Sequence, residues 1–351
     1  MLSELDLQVV HALQEAPRAS WSEIGAVLGL EARTVARRYE QLRSQGLLVV
    51  TQTVGPRLLR QTRWALLRAR TIPGSAEHVG RRLAQWPQAT SVRVTDGSFQ
   101  VYALLSGRAS RAGAEHIRTL WEQTQAQIAQ IPEIVEADVH NIIDALDVGS
   151  VQRLDVLSNA QVKRLRETRT APAPPDREPT EVTEEDLELF TILSRDGRRD
   201  VSDCAGELGR SRSWVSRRMA RLQADGFLDF IALIPDVVSS RPVTALIWAG
   251  IAPAELSALA QQTASLAWIG LMVVTTGPSN VFAVAHLPTA KALSQALEEI
   301  REICPSLVVR ETQLSVHAIK VHTRITDDAE HWSGEAAQPY AEGEVTDHRL
   351  R

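Results

Sequence analysis

Displaced by 180 residues, the chain falls on itself without a gap, so that LSELDLQVVHAL lies over VTEEDLELFTIL. In that register Glu4, Asp6, Leu7, Leu13, Arg18, Ser22, Leu28, Gly29, Val35, Arg37, Arg38, Leu42, Gly46 and Leu48 all meet identical residues. The match continues past this block, with Pro73 over Pro253, Gly97 over Gly277 and Ala103 over Ala283. Repetition in a single register constrains the fold before any element is assigned, because whatever one copy forms the other must form too. The 351 residues therefore read as a duplication, each copy large enough for two small domains.

Within the first copy, apolar residues recur at helical spacing: Leu5, Val9, Val10 and Leu13, then Ile24, Val27 and Leu28, then Val35, Tyr39 and Leu42. Pro17 closes the first run, Ser20 with Glu23 opens the second as a capping box, and Gly29 and Gly46 end the second and third. Three short helices followed by the β-like run LLVVTQTV are expected, and again in the second copy, with Ser202 as cap, Gly209 in the turn and Gly226 at the end. The remainder of each copy reads β-α-β-β-α-β, with Asp96-Gly97 and Gly277-Pro278 as turns between the central strands. The expected fold class is α+β, with two winged or helix-turn-helix three-helix domains, each followed by a ferredoxin-like βαββαβ domain. The expected limits are 1–60 and 61–145 for the first copy, and 183–238 and 239–325 for the second. Residues 146–182 hold one short helix (LSNAQVKRLRE) and the proline-rich spacer TRTAPAPPDREPT, and 326–351 read as an acidic disordered tail.

Charge sharpens the functional question. The formal net charge is −5, but the tail holds seven acids and two arginines, which leaves 36 acids and 36 bases in the body. Bulk charge is thus silent about nucleic acid, and local distribution has to decide. Residues 210–221 contain five arginines and no acid, while the surrounding module is rich in Asp and Glu. A third helix that presents Arg33, Thr34, Arg37, Arg38 and Arg43, with Val35, Tyr39 and Leu42 turned inward, is what phosphate and base-edge contact requires. In the second copy the corresponding residues are Ser211, Arg212, Ser213, Trp214, Arg217, Arg218 and Arg221, with Val215, Met219 and Leu222 turned inward. A basic helical face is also a common solvated surface, and it is the Arg-Arg pair at one offset in both copies that favours DNA. Trp214 has two open readings, contact with a thymine methyl or sugar, or packing on its neighbours.

These segments resemble the Lrp/AsnC (feast–famine) transcription regulators over about 4–143 and 183–323. The resemblance is carried by LSELD and VTEED, by GLEARTVARRYEQLRSQGLL and GRSRSWVSRRMARLQADGFL, and by VTDGSFQVYALL and VTTGPSNVFAVAHL. It implies a sequence-specific regulator whose βαββαβ (RAM) halves pair and bind a small effector, commonly an amino acid, near the central turns. Thr95, Asp96, Gly97, Thr276 and Gly277 are the effector candidates, although these turns equally read as simple hairpin closures. Typical members carry one copy per chain, so this chain resembles a covalently linked dimer, and further self-association is expected. The implied partners are double-stranded DNA, an effector and other copies of the chain.

Other chemistries are weakly supported. Two cysteines cannot staple a chain of this size, and the N-terminus lacks a basic and apolar leader pattern, so a reduced cytoplasmic setting is expected. The nine histidines lack zinc-site spacing, and no phosphate loop, nucleophile elbow or HExxH is present, so neither cofactor nor metal is expected. The alternative to a regulator is an enzyme like the siroheme decarboxylases, which resemble the same two-domain architecture. That chemistry would want basic and histidine side chains gathered in a βαββαβ cleft, where the first copy offers His78, His116 and His140 and the second His286 and His317.

Overall fold

The computed structural model describes residues 2–55, 57, 59, 62–107, 113–147, 154–169, 178–263, 266, 268–322, 324–327, 329 and 331–336. The first three helices are α1 (Glu4–Glu15), α2 (Trp21–Leu28) and α3 (Ala32–Ser44). Two of them start in capping boxes. The Ser3 hydroxyl accepts from the Asp6 N–H and the Asp6 carboxylate from the Ser3 N–H, and Ser20 with Glu23 repeats the exchange. Gly29 ends α2 in the left-handed region at φ 71°, which lets α3 leave at a sharp angle. Val9, Leu13, Ile24, Val35 and Leu42 meet in one core.

Strand β1 (Val49–Val54) follows, then β2 (Trp64–Thr71), α4 (Ala76–Ala84), β3 (Ala89–Thr95), β4 (Val101–Ser106), α5 (Gly113–Ile128) and the long β5 (Ile134–Asp147). Helix α6 (Asn159–Arg166) leads to α7 (Glu184–Arg195), α8 (Val201–Leu208), α9 (Arg212–Ala224) and β6 (Leu228–Leu233). The chain closes with β7 (Val243–Gly250), α10 (Leu256–Thr263), β8 (Ile269–Thr275), β9 (Val281–Leu287), α11 (Ala292–Ile303), β10 (Val308–Val321), β11 (Arg324–Thr326) and β12 (Trp332–Ala336). The cap of α8 departs from expectation: Asp200, not Ser202, occupies the N-cap and accepts from the Ser202 N–H at 2.7 Å. Register explains it, since Asp200 is the residue that lies under Ser20.

The runs expected as wings do not fold back on their own modules. β1 pairs antiparallel with β6 over six residue pairs, from Val49↔Leu233 to Val54↔Leu228, and so joins the two trihelical modules. Beside this ribbon two equivalent arginines reach across. Arg198 donates to the carbonyls of Pro17 (2.5 Å) and Ala19 (2.8 Å), and Arg18 to those of Gly197 and Arg199.

The eight principal strands of the larger sheet run β10-β3-β4-β2-β5-β8-β9-β7, and β7 pairs back onto β10, so the sheet closes on itself. Each half contributes four strands in the spatial order fourth, first, third, second. The long strands make the closure: β5 runs along β2 and then along β8, and β10 along β7 and then along β3. Closure removes the free edges that a lone four-stranded sheet would expose. Helices α4 and α5 cover the outside of one half and α11 the outside of the other. Inside, Leu66, Tyr102, Leu246, Trp248, Val273 and Phe282 fill the space between the halves, with the Tyr102 and Phe282 rings stacked at 5.0 Å.

Two segments depart from the sequence expectation. The spacer helix α6 is docked: Leu154, Leu157 and Leu165 are buried in the core of the first module, and Arg166 pairs with the buried Glu15 at 2.7 Å. Burying three leucines contributes about 1.5–3 kcal/mol each, enough to hold a two-turn helix on a surface. The tail expected to be disordered from residue 326 includes β12, which pairs with β11 and seats Trp332 against Val49, Ile231 and Leu233 of the ribbon. A single tryptophan on a five-residue strand leaves no periodic signature, so composition alone missed it. Residues 337–351 lie outside the described residues.

Candidate nucleic-acid interface

Helices α3 and α9 bury Val35, Tyr39 and Leu42, and Val215, Met219 and Leu222, at i, i+4, i+7 spacing, which turns the opposite faces outward. On those faces Arg33, Arg37, Arg212 and Arg217 are exposed, and among the described residues none of them forms an ion pair. A guanidinium in that state keeps its full donor set for phosphate or a base edge.

The neighbouring arginines are differently employed. Arg38 lies 3.2 Å from Asp6, at the N-terminus of α1. Arg218 donates to Asp186 at 2.7 Å, to the Thr180 hydroxyl at 2.7 Å and to the Glu181 carbonyl at 2.6 Å, and Asp186 is fully buried. The second member of each Arg-Arg pair thus ties its helix to the start of the first helix of its module, α1 or α7, and only the first member faces outward. Arg43 is paired with Glu40 at 2.6 Å and Arg221 with Asp225 at 3.6 Å. Ser211 caps α9, its hydroxyl accepting from the Trp214 N–H at 3.2 Å, and Ser213 stands exposed beside it. Trp214 is half-buried against the core of the second module, with the Arg210 guanidinium 5.4 Å from its ring. Thr34, its counterpart, is half-buried as well.

The turn residues proposed for an effector are joined to the opposite half. Asp96 accepts from the Leu314 N–H at 2.7 Å, and its own carbonyl accepts from Gln313 at 3.0 Å. Thr95 is buried, its hydroxyl bonded to the Phe99 carbonyl at 2.8 Å. Across the barrel, the Thr276 hydroxyl accepts from the Asn141 N–H at 3.1 Å and its carbonyl faces His140 Nδ1 at 2.9 Å. Gly97 (φ 87°) and Gly277 (φ 105°) sit over Gln313 and His140 respectively, positions where a side chain would crowd the partner. These turns are therefore seams between the halves. The turns are legible in the sequence and His140 stands out there only as a histidine of a βαββαβ cleft; no local pattern marks its place on the Thr276 turn, or Gln313 against Asp96.

A polar cluster joins the second module to the barrel. Arg93 pairs with Asp236 at 2.8 Å, Asp236 accepts from the Thr244 hydroxyl at 2.9 Å, and Thr244 bonds His286 at 3.1 Å. Burial pushes the Asp236 carboxyl up, but Arg93, His286 and the hydrogen bonds together outweigh it and hold it below the usual carboxylate range. Burial lowers His286 to about 4, which keeps its ring neutral. Among the described residues no group of three or more His, Cys, Asp or Glu side chains gathers where a metal could be held. No described helix is long and apolar enough to cross a membrane.

Residues 2–43 match the AsnC-type helix-turn-helix domain. The first module is an AsnC-type helix-turn-helix. Similar proteins include the HTH-type transcriptional regulator FL11 of Pyrococcus horikoshii, 27% identical over 101 residues, or 28% of this chain and 67% of that protein. An uncharacterized HTH-type transcriptional regulator of Pyrococcus furiosus is 26% identical over 113 residues, or 32% of this chain and 76% of that protein. Among solved structures, the siroheme decarboxylase NirDL superposes with a TM-score of 0.56 at 15% identity, covering 91% of this chain and 93% of that one. That likeness extends the shared fold beyond the AsnC-type module to nearly the whole chain. In the AsnC-type module the outward arginines are Arg33 and Arg37 of α3, the helix after the Gly29 turn.

Proposed function

We propose that the protein is a sequence-specific DNA-binding transcriptional regulator of the Lrp/AsnC type, its two copies forming a pseudo-dimer within one chain. The observation that carries this reading is the set of exposed arginines that form no ion pair among the described residues, Arg33 and Arg37 on α3 and Arg212 and Arg217 on α9. Helix-turn-helix proteins place such a helix in the major groove and read two half-sites through two of them. The ribbon between β1 and β6 supports the pairing of the modules, and the closed barrel supports the pairing of the βαββαβ halves. Through the barrel an amino-acid-like effector bound near Thr95, Asp96, Gly97, Thr276 and Gly277 would act on DNA affinity, since those turns lie where the halves meet. The setting we assign is the cytoplasm, with further copies of the chain as partners.

The test is a gel-shift salt series on genomic fragments retained by the purified chain. Combining Arg37→Ala with Arg217→Ala should weaken binding and reduce the slope of log affinity against log salt by about 2. Unchanged binding would remove these helices from the interface.

One observation favours a second reading, the near full-length likeness of fold to the siroheme decarboxylase NirDL. The barrel interior is filled by Leu66, Tyr102, Leu246, Trp248, Val273 and Phe282, so a macrocycle would have to dock elsewhere. Absorbance spectra of the protein mixed with siroheme, together with mass spectrometry of the extracted tetrapyrrole, decide between the readings. A bound chromophore that loses carboxylate groups establishes the enzyme, and an unperturbed spectrum speaks for the regulator.

A further inference from the structure

The two outward helices are unlike, and the fold holds them in one fixed pair. Reading α3 against α9 in the 180-residue register, Arg37 and Arg217 coincide, but Ala32, Arg33 and Thr34 stand where the second copy has Arg212, Ser213 and Trp214. These three positions form the first turn, which in helix-turn-helix proteins reaches the base edges. Arg33 and Arg212 are both exposed, yet they sit one position apart in the register. That offset displaces the guanidinium by about 100° around the helix and about 1.5 Å along it, so the two cannot address the same base pair in the same way. Thr34 offers a small methyl, whereas Trp214 offers a ring backed by Arg210 at 5.4 Å.

A regulator built from two identical chains presents identical helices and mirrors that symmetry in a palindromic operator. Here the modules are joined covalently, by six ribbon residue pairs, and by Arg18 and Arg198 reaching into each other's loops. Identical modules cannot be recruited by exchange. We propose that the operator of this protein is double-stranded DNA with two unlike half-sites, so that the chain binds with a defined polarity. This rests on the DNA-binding reading above. Arg37 and Arg217 make the shared contacts, Arg33 with Thr34 specifies one half, and Arg212 with Ser213 and Trp214 specifies the other.

The full chain is used to select binders from a random duplex library long enough for two half-sites. The expected motif has two halves that are not reverse complements of each other. In footprints and competition assays, Arg33→Ala should relax base preference in one half by about tenfold and leave the other half intact. Arg212→Ala should do the reverse. Exchanging the first turn of α3 for that of α9 (Ala32→Arg, Arg33→Ser, Thr34→Trp) should convert the selected motif to a palindrome. Arg33 is exposed but Ala32 and Thr34 are half-buried, so each variant must melt at the native temperature for its effect to be assigned to reading and not to folding. A palindrome selected by the native chain, or a motif with one half-site, would overturn the inference and leave DNA binding standing. No enrichment at any salt concentration would overturn the DNA-binding reading itself.

Discussion

The guanidinium of Arg198 lies over the ring of Trp21, 3.7 Å from its centroid, although the two residues belong to different trihelical modules. Arg18, the equivalent of Arg198, finds Val201 where Trp21 would be and lies instead 5.0 Å from the ring centroid of Phe230. Burial lowers both guanidinium pKa values, that of Arg198 to about 10, so it remains charged at neutral pH. Ring faces and loop carbonyls replace the water each cation gives up.

Removing that cation should uncouple the modules. Arg198→Ala is expected to lower stability by about 2–3 kcal/mol in chemical denaturation, and Arg18→Ala by less, because its ring contact is longer. If the two act on one interface, the double variant should fall short of the sum. Strict additivity would mean that the arginines stabilise separate modules.

The two arginines of each Arg-Arg pair should separate cleanly by assay. Arg218→Ala leaves the buried Asp186 without its cation, and we expect a loss of about 3 kcal/mol in folding stability. Arg38→Ala should cost about 1 kcal/mol, since Arg38 and Asp6 are partly exposed. Arg37→Ala and Arg217→Ala should leave the melting temperature within error. Equal melting losses for Arg37→Ala and Arg38→Ala would contradict the division of roles.

Acid should weaken the fold through His286. Its folded pKa is about 4 against an ordinary histidine value of 6.5, so on acidification the unfolded chain takes up this proton first. Stability is therefore lost as pH falls from about 6.5 to 4, by up to about 3 kcal/mol. Asp236, held below its usual range beside Arg93, adds a loss of the same sign at lower pH, and Arg241 and Thr244 complete the surroundings of the ring. Denaturation midpoints across this window should slope less steeply in His286→Gln, and a parallel slope would assign the dependence to other groups.

Two substitutions test the seams. Gly277→Ala must take φ 105° and put its Cβ 3.0 Å from His140 Nδ1, and a loss of about 1–2 kcal/mol is expected. Trp332→Ala should detach the terminal strand from the ribbon, at a cost of about 3 kcal/mol, because the tryptophan is buried against Val49, Ile231 and Leu233. Limited proteolysis of that variant should cut near residue 327, and continued resistance would show that β12 stays seated without its anchor.

Much of this was legible along the chain because it depends on near neighbours. The helix start at Ser20, the turns at Gly29 and Gly97, and the inward stripe of Val35, Tyr39 and Leu42 follow from hydrogen-bond reach and helical period. The division of the arginines was half legible. Arg37 and Arg38 are adjacent, and a rotation of about 100° per residue sends one outward and the other toward α1, but the Asp6 that receives Arg38 is 32 positions away.

The 180-residue self-match, the helical period and the capping residues determined the local elements and their order, since each is read from residues near in sequence or in one register. How the modules meet was decided only in three dimensions. β1 could have turned back on its own module but pairs with β6, and the long strands β5 and β10 leave their own halves to close the barrel. A strand edge bonds to whichever backbone is brought beside it, and the backbone carries no sequence. The side chains that chose the partner, Arg18 with the Gly197 loop, Gln313 with Asp96, and His140 with Thr276, are paired across more than 130 residues, where no periodicity connects them.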